Sequence, residues 1–269
     1  MKYEYQHNES NIRGYEGITF DKNESNVILN NEVKSKLIDR PQRDDMLKIL
    51  ETLKQDTGFE KSETLLVDIQ TLLNENVDVQ DFRIGEALAE VVLEENFNCR
   101  FYWNELRDAR NPKGNKTGAD LVGFIEIGNE ILFLFGEVKT SSEQKSPPQV
   151  MTNPDGIENQ LKDLYNDQQK RLILISYIKS KIDLVDSEGF KQDFNNAIKN
   201  YYISNSTNYL LYGVLVRDTN PDENDIKKSY EKLKIEILKP TGLKLLAIYL
   251  PITKEKWLSI INGVENEAN

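Results

Sequence analysis

Three charged side chains, Asp120, Glu137 and Lys139, lie at the outer ends of two apolar segments that the pair Gly128-Asn129 separates. Apolar, partly β-branched segments on either side of such a pair predict a β-hairpin with a two-residue turn. Asp120 and Glu137 are equally distant from this turn, so we expect them to face each other, with Cβ atoms about 4.5–5.5 Å apart. Lys139 follows Glu137 by two residues and should point to the same face of the sheet.

This trio of residue types suits the chemistry of a hard divalent cation. Two carboxylates placed opposite each other repel, and a buried charge needs a partner, so a bound cation would relieve both costs. Oxygen ligands favour Mg²⁺ or Mn²⁺, and the backbone carbonyl of Val138 can add a third ligand to Asp120 and Glu137. Lys139 can then position or deprotonate a water, or neutralise charge on a phosphate. The alternative is an ordinary ion network at a strand end.

Other hydrolytic centres are excluded by residue counts. The chain has one histidine, His7, and one cysteine, Cys99. A Ser-His-Asp triad, a Cys-His pair and a His- or Cys-based zinc site all need more of these residues or a better-placed histidine. Hydrolysis by this chain would therefore depend on carboxylates, lysine and a hard metal.

A helix predicted over 81–96 lies upstream of the hairpin. Its apolar residues follow a helical period, and Glu86 and Glu90 lie four residues apart on another stripe. Gly85, next to Glu86, would let this helix approach a sheet closely, which favours Glu86 over Glu90 as a site residue without deciding between them.

The remaining patterns predict an α/β fold, a mixed central β-sheet flanked by helices. Helices are expected at 41–53, 62–74, 157–180, 187–202, 221–233 and 254–262, and strands at 100–106, 209–216 and 243–250 beside the hairpin. Residues 1–40 are weakly periodic and are predicted to be irregular or short-stranded. We divide the chain into an N-terminal region of mixed short strands and helices, 1–76, and a second domain, 77–269.

The segments Gly118-Ala119-Asp120 and Gly136-Glu137-Val138-Lys139-Thr140 resemble the signature of the PD-(D/E)XK nuclease superfamily. The resemblance covers roughly residues 81–250 and implies a restriction-endonuclease-like core and metal-dependent phosphodiester hydrolysis, with Mg²⁺ as the metal and Mn²⁺ as an alternative. It also implies a helix glutamate, here Glu86 or Glu90, and a helix after the hairpin that carries a Gln and a Tyr. Gln160 and Tyr165 are comparable, although their spacing departs from the family pattern by one residue.

A narrower resemblance is carried by RIGEALAEVVLEE, NPKGNKTGADLVGF and LFGEVKTS. These segments are similar to the HamA family of the Hachiman anti-phage defence system. That resemblance implies a nuclease that degrades DNA under the control of a helicase subunit, HamB, with which it forms a complex.

Charge argues against tight DNA binding by this chain alone. It carries 34 Lys and Arg against 45 Asp and Glu, a net charge of −11, whereas proteins that hold DNA unaided usually present a basic surface. The segment before Asp120 is locally basic, because only Asp108 accompanies four cations there that are candidates for contacting phosphate: Arg107, Arg110, Lys113 and Lys116.

Three functions remain open from the sequence. The first is a metal-dependent nuclease delivered to DNA by its partner. The second is a catalytically silent interaction subunit that keeps the nuclease fold, and the third is a stand-alone restriction-type endonuclease. The polar start of the chain has no secretory signal, and no apolar run approaches the roughly 20 residues that span a bilayer, so we expect a cytoplasmic protein without membrane contact.

Overall fold

The computed structural model describes residues 1–55, 62–108 and 118–264. Its strands form one seven-stranded sheet in the order β1-β2-β7-β6-β5-β4-β3. The strands are β1 Lys2–Ser10, β2 Arg13–Thr19, β3 Cys99–Arg100, β4 Leu121–Ile127, β5 Glu130–Ser141, β6 Leu210–Arg217 and β7 Gly242–Tyr249. The pairs β2–β7, β7–β6 and β6–β5 are parallel, and the outer pairs are antiparallel. The predicted mixed α/β sheet is confirmed.

Helices cover both faces of this sheet. They are α1 Lys22–Ile28, α2 Lys34–Leu37, α3 Arg40–Gln55, α4 Glu63–Leu73, α5 Asp81–Asn96, α6 Gln149–Thr152, α7 Ile157–Asn166, α8 Gln168–Ile182, α9 Glu188–Ile203, α10 Lys227–Glu236 and α11 Trp257–Ile261. A π-helical turn, Leu29–Val33, joins α1 to α2. The helices predicted at 41–53, 62–74, 81–96, 157–180 and 187–202 are confirmed.

Two apolar layers explain why the hairpin strands are apolar on both sides. Leu132, Leu134 and Val138 of β5 pack in the layer that contains α5. Phe133 and Phe135 lie in the opposite layer, with residues of α7, α8, α9 and α10. We call these two sides of the sheet the α5 face and the α7–α10 face. Because side chains alternate along a strand, Glu137 and Lys139 continue the row of Phe133 and Phe135 on the α7–α10 face.

The strand predicted at 100–106 is wrong beyond its first residue. Only Cys99 and Arg100 pair with β4, and a 3₁₀ turn forms at Glu105–Asp108. Side-chain hydrogen bonds compete with strand pairing here. Asn104 accepts a bond from the Leu106 amide through its side-chain oxygen, at 3.0 Å, and Trp103 donates to Asp108 at 2.9 Å.

The N-terminal region is more ordered than predicted. Residues 1–40 contain β1, β2, α1 and α2, and β2 pairs with β7 over its whole length from Arg13↔Leu243 to Thr19↔Tyr249. β1 lies at the sheet edge and is exposed at every position except Tyr5, which is half-buried. A strand open to solvent on both faces lacks the apolar alternation that would identify it. The N-terminal region thus contributes two strands to the common sheet, and the boundary at 76/77 stays a prediction.

Candidate active site

The hairpin has the register that its turn predicts. Leu121 pairs with Gly136, and Ile127 with Glu130, on either side of Gly128-Asn129. Asp120 directly precedes β4, so it occupies the next position along this ladder, level with Glu137. Its Oδ2 accepts a hydrogen bond from the backbone N–H of Val138 at 3.0 Å. This bond ties the carboxylate to β5 at the point where pairing between the two strands ends.

Glu137 is the most perturbed acid of the hairpin. The residue is 5 % exposed, and burial, followed by the charge of Asp120, raises its pKa to about 7. The hydrogen bond from Lys139 Nζ to Glu137 Oε1, at 2.5 Å, opposes this shift without cancelling it. Among residues 1–55, 62–108 and 118–264, Lys139 is the cation that pairs with this group of acids.

Lys139 is held as a cation. Burial lowers its pKa, but the bond to Glu137 and the charges of Glu137, Asp120 and Glu86 together raise the pKa above the ordinary value. An ammonium group with a raised pKa is a weak proton acceptor at neutral pH. Its chemistry is therefore that of a fixed positive charge and hydrogen-bond donor.

The helix α5 reaches the hairpin through a close contact at Gly85. A Cβ added there would lie 2.1 Å from Thr140 Oγ1, so only glycine permits this approach of α5 to β5. Glu86 follows directly, is 7 % exposed, and forms an ion pair with Arg83 at 2.8 Å. Its charge is one of those that raise the pKa of Lys139, and the contact of its neighbour Gly85 with Thr140 brings this part of α5 to the carboxyl end of β5.

Glu90, the alternative helix acid, is directed elsewhere. Its carboxylate binds Lys36 of α2 at 2.9 Å, and Glu94 binds the same lysine at 3.0 Å. The arrangement therefore favours Glu86 as the acid from α5. Gly85 favours Glu86 in the local sequence, but the partner that holds Glu90, Lys36, is remote in the chain and could not be predicted from it.

Gln160 lies on the turn of α7 that crosses the sheet beside the site. Ile157 and Leu161 of this turn fill the space above Gly213, the β6 partner of Glu137. Glu158 pairs with Lys232 of α10 at 3.4 Å, and Gln160, two residues further along, is on the opposite flank of the helix. Tyr165, in contrast, accepts a bond from the Leu238 amide at 3.3 Å, at the far end of α7.

Comparison with protein families gives a match to the HamA family model over residues 43–256, more than half of the chain. The chain belongs to the HamA family. It is accordingly a Hachiman-type defence protein. No curated protein matches the chain. The match contains the hairpin, α5 and α7, so every candidate residue described above lies within the HamA-like part.

The oxygen atoms at the end of the hairpin meet some of the requirements for binding a hard divalent cation. Asp120 and Glu137 supply adjacent oxygen ligands with an excess of negative charge, and Val138 lies between them on the strand. Within residues 1–55, 62–108 and 118–264, no group of three or more His, Cys, Asp and Glu side chains is arranged to hold a metal ion. A cation here would have two carboxylate ligands, Asp120 and Glu137, because Glu86 forms an ion pair with Arg83.

The candidate phosphate-contacting residues fall into two groups. Arg107 forms a two-pronged ion pair with Asp39, at 2.5 and 2.8 Å, and its guanidinium lies over the ring of Trp103. A phosphate would have to compete with Asp39 for it. Arg110, Lys113 and Lys116 lie outside the described residues, and their role stays a prediction. No helix in the described part of the chain is long and apolar enough to cross a membrane.

Sequence reasoning overlooked Arg83. It is 7 % exposed and contacts the very carboxylate that the helix was expected to contribute. The signal was present, because residues three apart on a helix are neighbours, and Arg83 precedes Glu86 by that interval.

Proposed function

We propose that this HamA-family protein is a magnesium-dependent deoxyribonuclease, the effector subunit of a Hachiman complex in which a helicase controls access to DNA. One observation carries the proposal. Asp120 and Glu137 are adjacent acids, burial and the charge of Asp120 raise the pKa of Glu137, and Lys139 is fixed beside them as a cation. Mg²⁺ would supply a Lewis acid for a phosphodiester oxygen and activate a water.

The protein's own groups have distinct parts in such a reaction. Asp120, anchored by the Val138 N–H, and Glu137 would hold the metal, and the Val138 carbonyl is a further candidate ligand. Lys139 would donate a hydrogen bond and positive charge to the phosphate as charge develops on it. Of the two earlier interpretations of this lysine, its raised pKa favours charge stabilisation over proton abstraction.

The net charge of −11 supports control by a partner. A protein this acidic gains little from counterion release on duplex DNA, so its affinity for DNA alone should be low and should weaken further with salt. A helicase that grips and translocates the strand would provide the missing affinity. It would also keep the nuclease from cutting DNA when the helicase is idle.

The test is a double substitution, Glu137→Ala with Lys139→Ala, in the complex with the helicase partner. Cleavage of linear and circular DNA is measured with Mg²⁺, with and without ATP, and with EDTA. We expect a loss of about a thousandfold or more and an unchanged circular dichroism spectrum. The matched control replaces Glu130 and Lys145, both exposed, and should retain full activity. Survival of Mg²⁺-dependent cleavage in the double variant would refute the proposal.

A second candidate is a silent interaction subunit with a nuclease-like hairpin. The observation that favours it is the lack of a three-acid group among the described residues. Calorimetry with Mn²⁺ distinguishes the nuclease from the silent subunit. A nuclease should bind Mn²⁺, and Asp120→Asn should abolish that binding, whereas a silent subunit should show no binding that depends on Asp120. A stand-alone restriction-type enzyme would instead bind a specific DNA sequence without the partner, which gel shifts across salt concentrations would reveal.

A further inference from the structure

The two residues before Asp120, Gly118 and Ala119, connect this acid to the helix α8. Ala119 is 3 % exposed and lies in the same apolar layer as Leu174 and Ile178 of α8. A Cβ added to Gly118 would lie 3.2 Å from Cδ2 of Leu174, so the backbone at Gly118 approaches α8 closely. This contact is on the α7–α10 face, where the hairpin acids also lie.

The backbone at Gly118 has a conformation that favours glycine. Its φ is +114°, a value at which an L side chain would crowd its own backbone. A residue with a side chain would therefore shift φ towards negative values and turn the chain that follows. Asp120 comes two residues later, so the conformation of Gly118 affects the direction of that carboxylate.

Asp120 depends on its neighbours because strand pairing does not hold it. The ladder between β4 and β5 ends at Leu121 and Gly136, one residue short of this acid. Its Oδ2 is tied to β5 by the bond from the Val138 N–H at 3.0 Å, and such a bond weakens steeply when its angle departs from linearity. Two contacts thus fix the carboxylate: the bond to Val138 on one side, and the packing of the preceding two residues on α8 on the other.

We infer that Gly118 and Ala119 are positioning residues, which hold the Asp120 carboxylate opposite Glu137 by packing the chain against α8. The inference rests on the proposed function, since it concerns an acid that would bind the metal there. Groups that orient a metal ligand typically change metal affinity or activity about 10- to 100-fold when they are altered. Gly118 and Ala119 should act through Asp120 and not through the stability of the whole fold.

The test is Gly118→Ala, with Gly263→Ala as the matched control. Gly263 also has a positive φ, +66°, but a Cβ added there would meet no atom of the described residues within 4 Å. It follows α11, whose residues Trp257 and Ile261 pack on the α5 face. Both variants place a side chain at a backbone conformation that disfavours one, so both should lose stability, and only Gly118→Ala should disturb the site.

Amide hydrogen exchange on the metal-free protein reports the position of Asp120, because its carboxylate accepts the Val138 N–H. We expect Gly118→Ala to speed exchange at Val138 about tenfold relative to the other amides of β5, and Gly263→Ala to leave that ratio unchanged. Calorimetry with Mn²⁺ should show an affinity about tenfold lower in Gly118→Ala. In the full complex, kcat for DNA cleavage should fall by a similar factor, with KM changed by less than about twofold.

Ala119→Gly is the second variant, which keeps the test informative if Gly118→Ala does not fold. It removes the methyl group that packs in the layer of α8 and introduces no backbone strain. Exchange at Val138 and the affinity for Mn²⁺ should change in the same direction as in Gly118→Ala, by a smaller factor.

A purely structural role for Gly118 and Ala119 gives a different pattern. Exchange would then rise alike at all amides of β5, and Gly263→Ala would lower Mn²⁺ affinity as much as Gly118→Ala does. That pattern would overturn the inference, and so would an unchanged rate of exchange at Val138 in both Gly118→Ala and Ala119→Gly.

Failure of the proposed function is distinguishable from failure of this inference. If the unsubstituted complex never cleaves DNA with Mg²⁺, the nuclease proposal fails, and exchange at Val138 still measures whether Gly118 and Ala119 hold Asp120 in place. If cleavage occurs and requires Lys139, but exchange at Val138 and Mn²⁺ affinity are unchanged in both variants, only the inference on Gly118 and Ala119 fails.

Discussion

Two groups of buried charges lie at the carboxyl ends of neighbouring parallel strands, and they are balanced differently. At the end of β6, Arg217 is 1 % exposed, pairs with Asp225 at 2.8 Å, and also donates to the carbonyl of Glu143. The Tyr249 hydroxyl lies 2.9 Å from the other oxygen of Asp225. At the end of β5, two acids, Asp120 and Glu137, have one lysine beside them within the part of the chain that the structure describes, Lys139.

The difference distinguishes an ion pair that stabilises the fold from a group in which, among the described residues, the acids outnumber the cations. The Arg217–Asp225 pair is neutral in sum, as expected of a structural ion pair, and both oxygens of Asp225 have hydrogen-bond partners. Burial still raises the pKa of Asp225, while Arg217 acts to lower it. In the hairpin group, burial and then the charge of the neighbouring acid Asp120 raise the pKa of Glu137 to about 7, so repulsion between two acids adds to the cost of burial there. Uncompensated charge in a buried site is more typical of functional than of structural groups.

The largest effect on stability should come from the balanced pair. Arg217→Met leaves Asp225 buried without its cation, which costs about 3–5 kcal/mol in a pair of this kind. Urea unfolding at neutral pH should show this loss, and Asp225→Asn in the same chain should restore part of it. A loss below about 1 kcal/mol would mean that the Arg217–Asp225 pair contributes no more than a surface ion pair and does not stabilise the fold as a structural pair would.

In the metal-free protein, Glu137→Gln should have the opposite effect on stability and should stabilise the fold. Between the ordinary glutamate value of 4.5 and about 7, folded Glu137 keeps a proton that the unfolded chain has released. Stability therefore falls as the pH rises through this window. Removing the charge should make the variant more stable than the original at pH 8, by on the order of 2 kcal/mol.

Urea unfolding at pH 5 and pH 8 tests whether Glu137→Gln raises the free energy of unfolding. The difference between the original protein and Glu137→Gln should be small at pH 5 and large at pH 8. Glu130→Gln, on the same strand but exposed, should show no such dependence. A Glu137 variant that is less stable at pH 8 would mean that the bond to Lys139 outweighs burial and Asp120, so that this group is balanced as well.

Only part of the arrangement of these charged residues could be predicted from the sequence. The turn at Gly128-Asn129 fixes the hairpin register locally, and the period of 81–96 identifies α5, so Asp120, Glu137 and Lys139 were placed together correctly. The choice between Glu86 and Glu90 depended on Lys36, which reaches α5 only through the tertiary fold. The bounds of the edge strand β1 could not be predicted within the region expected to be irregular or short-stranded, since its pairing with β2 needs no apolar alternation.

Gly85→Ala should give the smallest effect on stability but the clearest test of how α5 meets the hairpin. The new Cβ would lie 2.1 Å from Thr140 Oγ1 and 3.5 Å from Thr140 Cβ. Overpacking of this kind costs about 1–3 kcal/mol. Thr140→Ala removes the hydroxyl, which has no hydrogen-bond partner among the residues that the structure describes, and leaves ordinary contact, so it should rescue Gly85→Ala. Thermal unfolding of the two single variants and the double variant measures this.

The same three variants connect packing to the site. If the approach of α5 sets where Glu86 lies, Gly85→Ala should reduce Mg²⁺-dependent cleavage more than its loss of stability explains, and the Thr140→Ala rescue should restore both together. If stability recovers while cleavage does not, Thr140 itself contributes to the site. If cleavage is unaffected throughout, the position of α5 is irrelevant to the hairpin, and the excess charge there belongs to Asp120 and Glu137 alone.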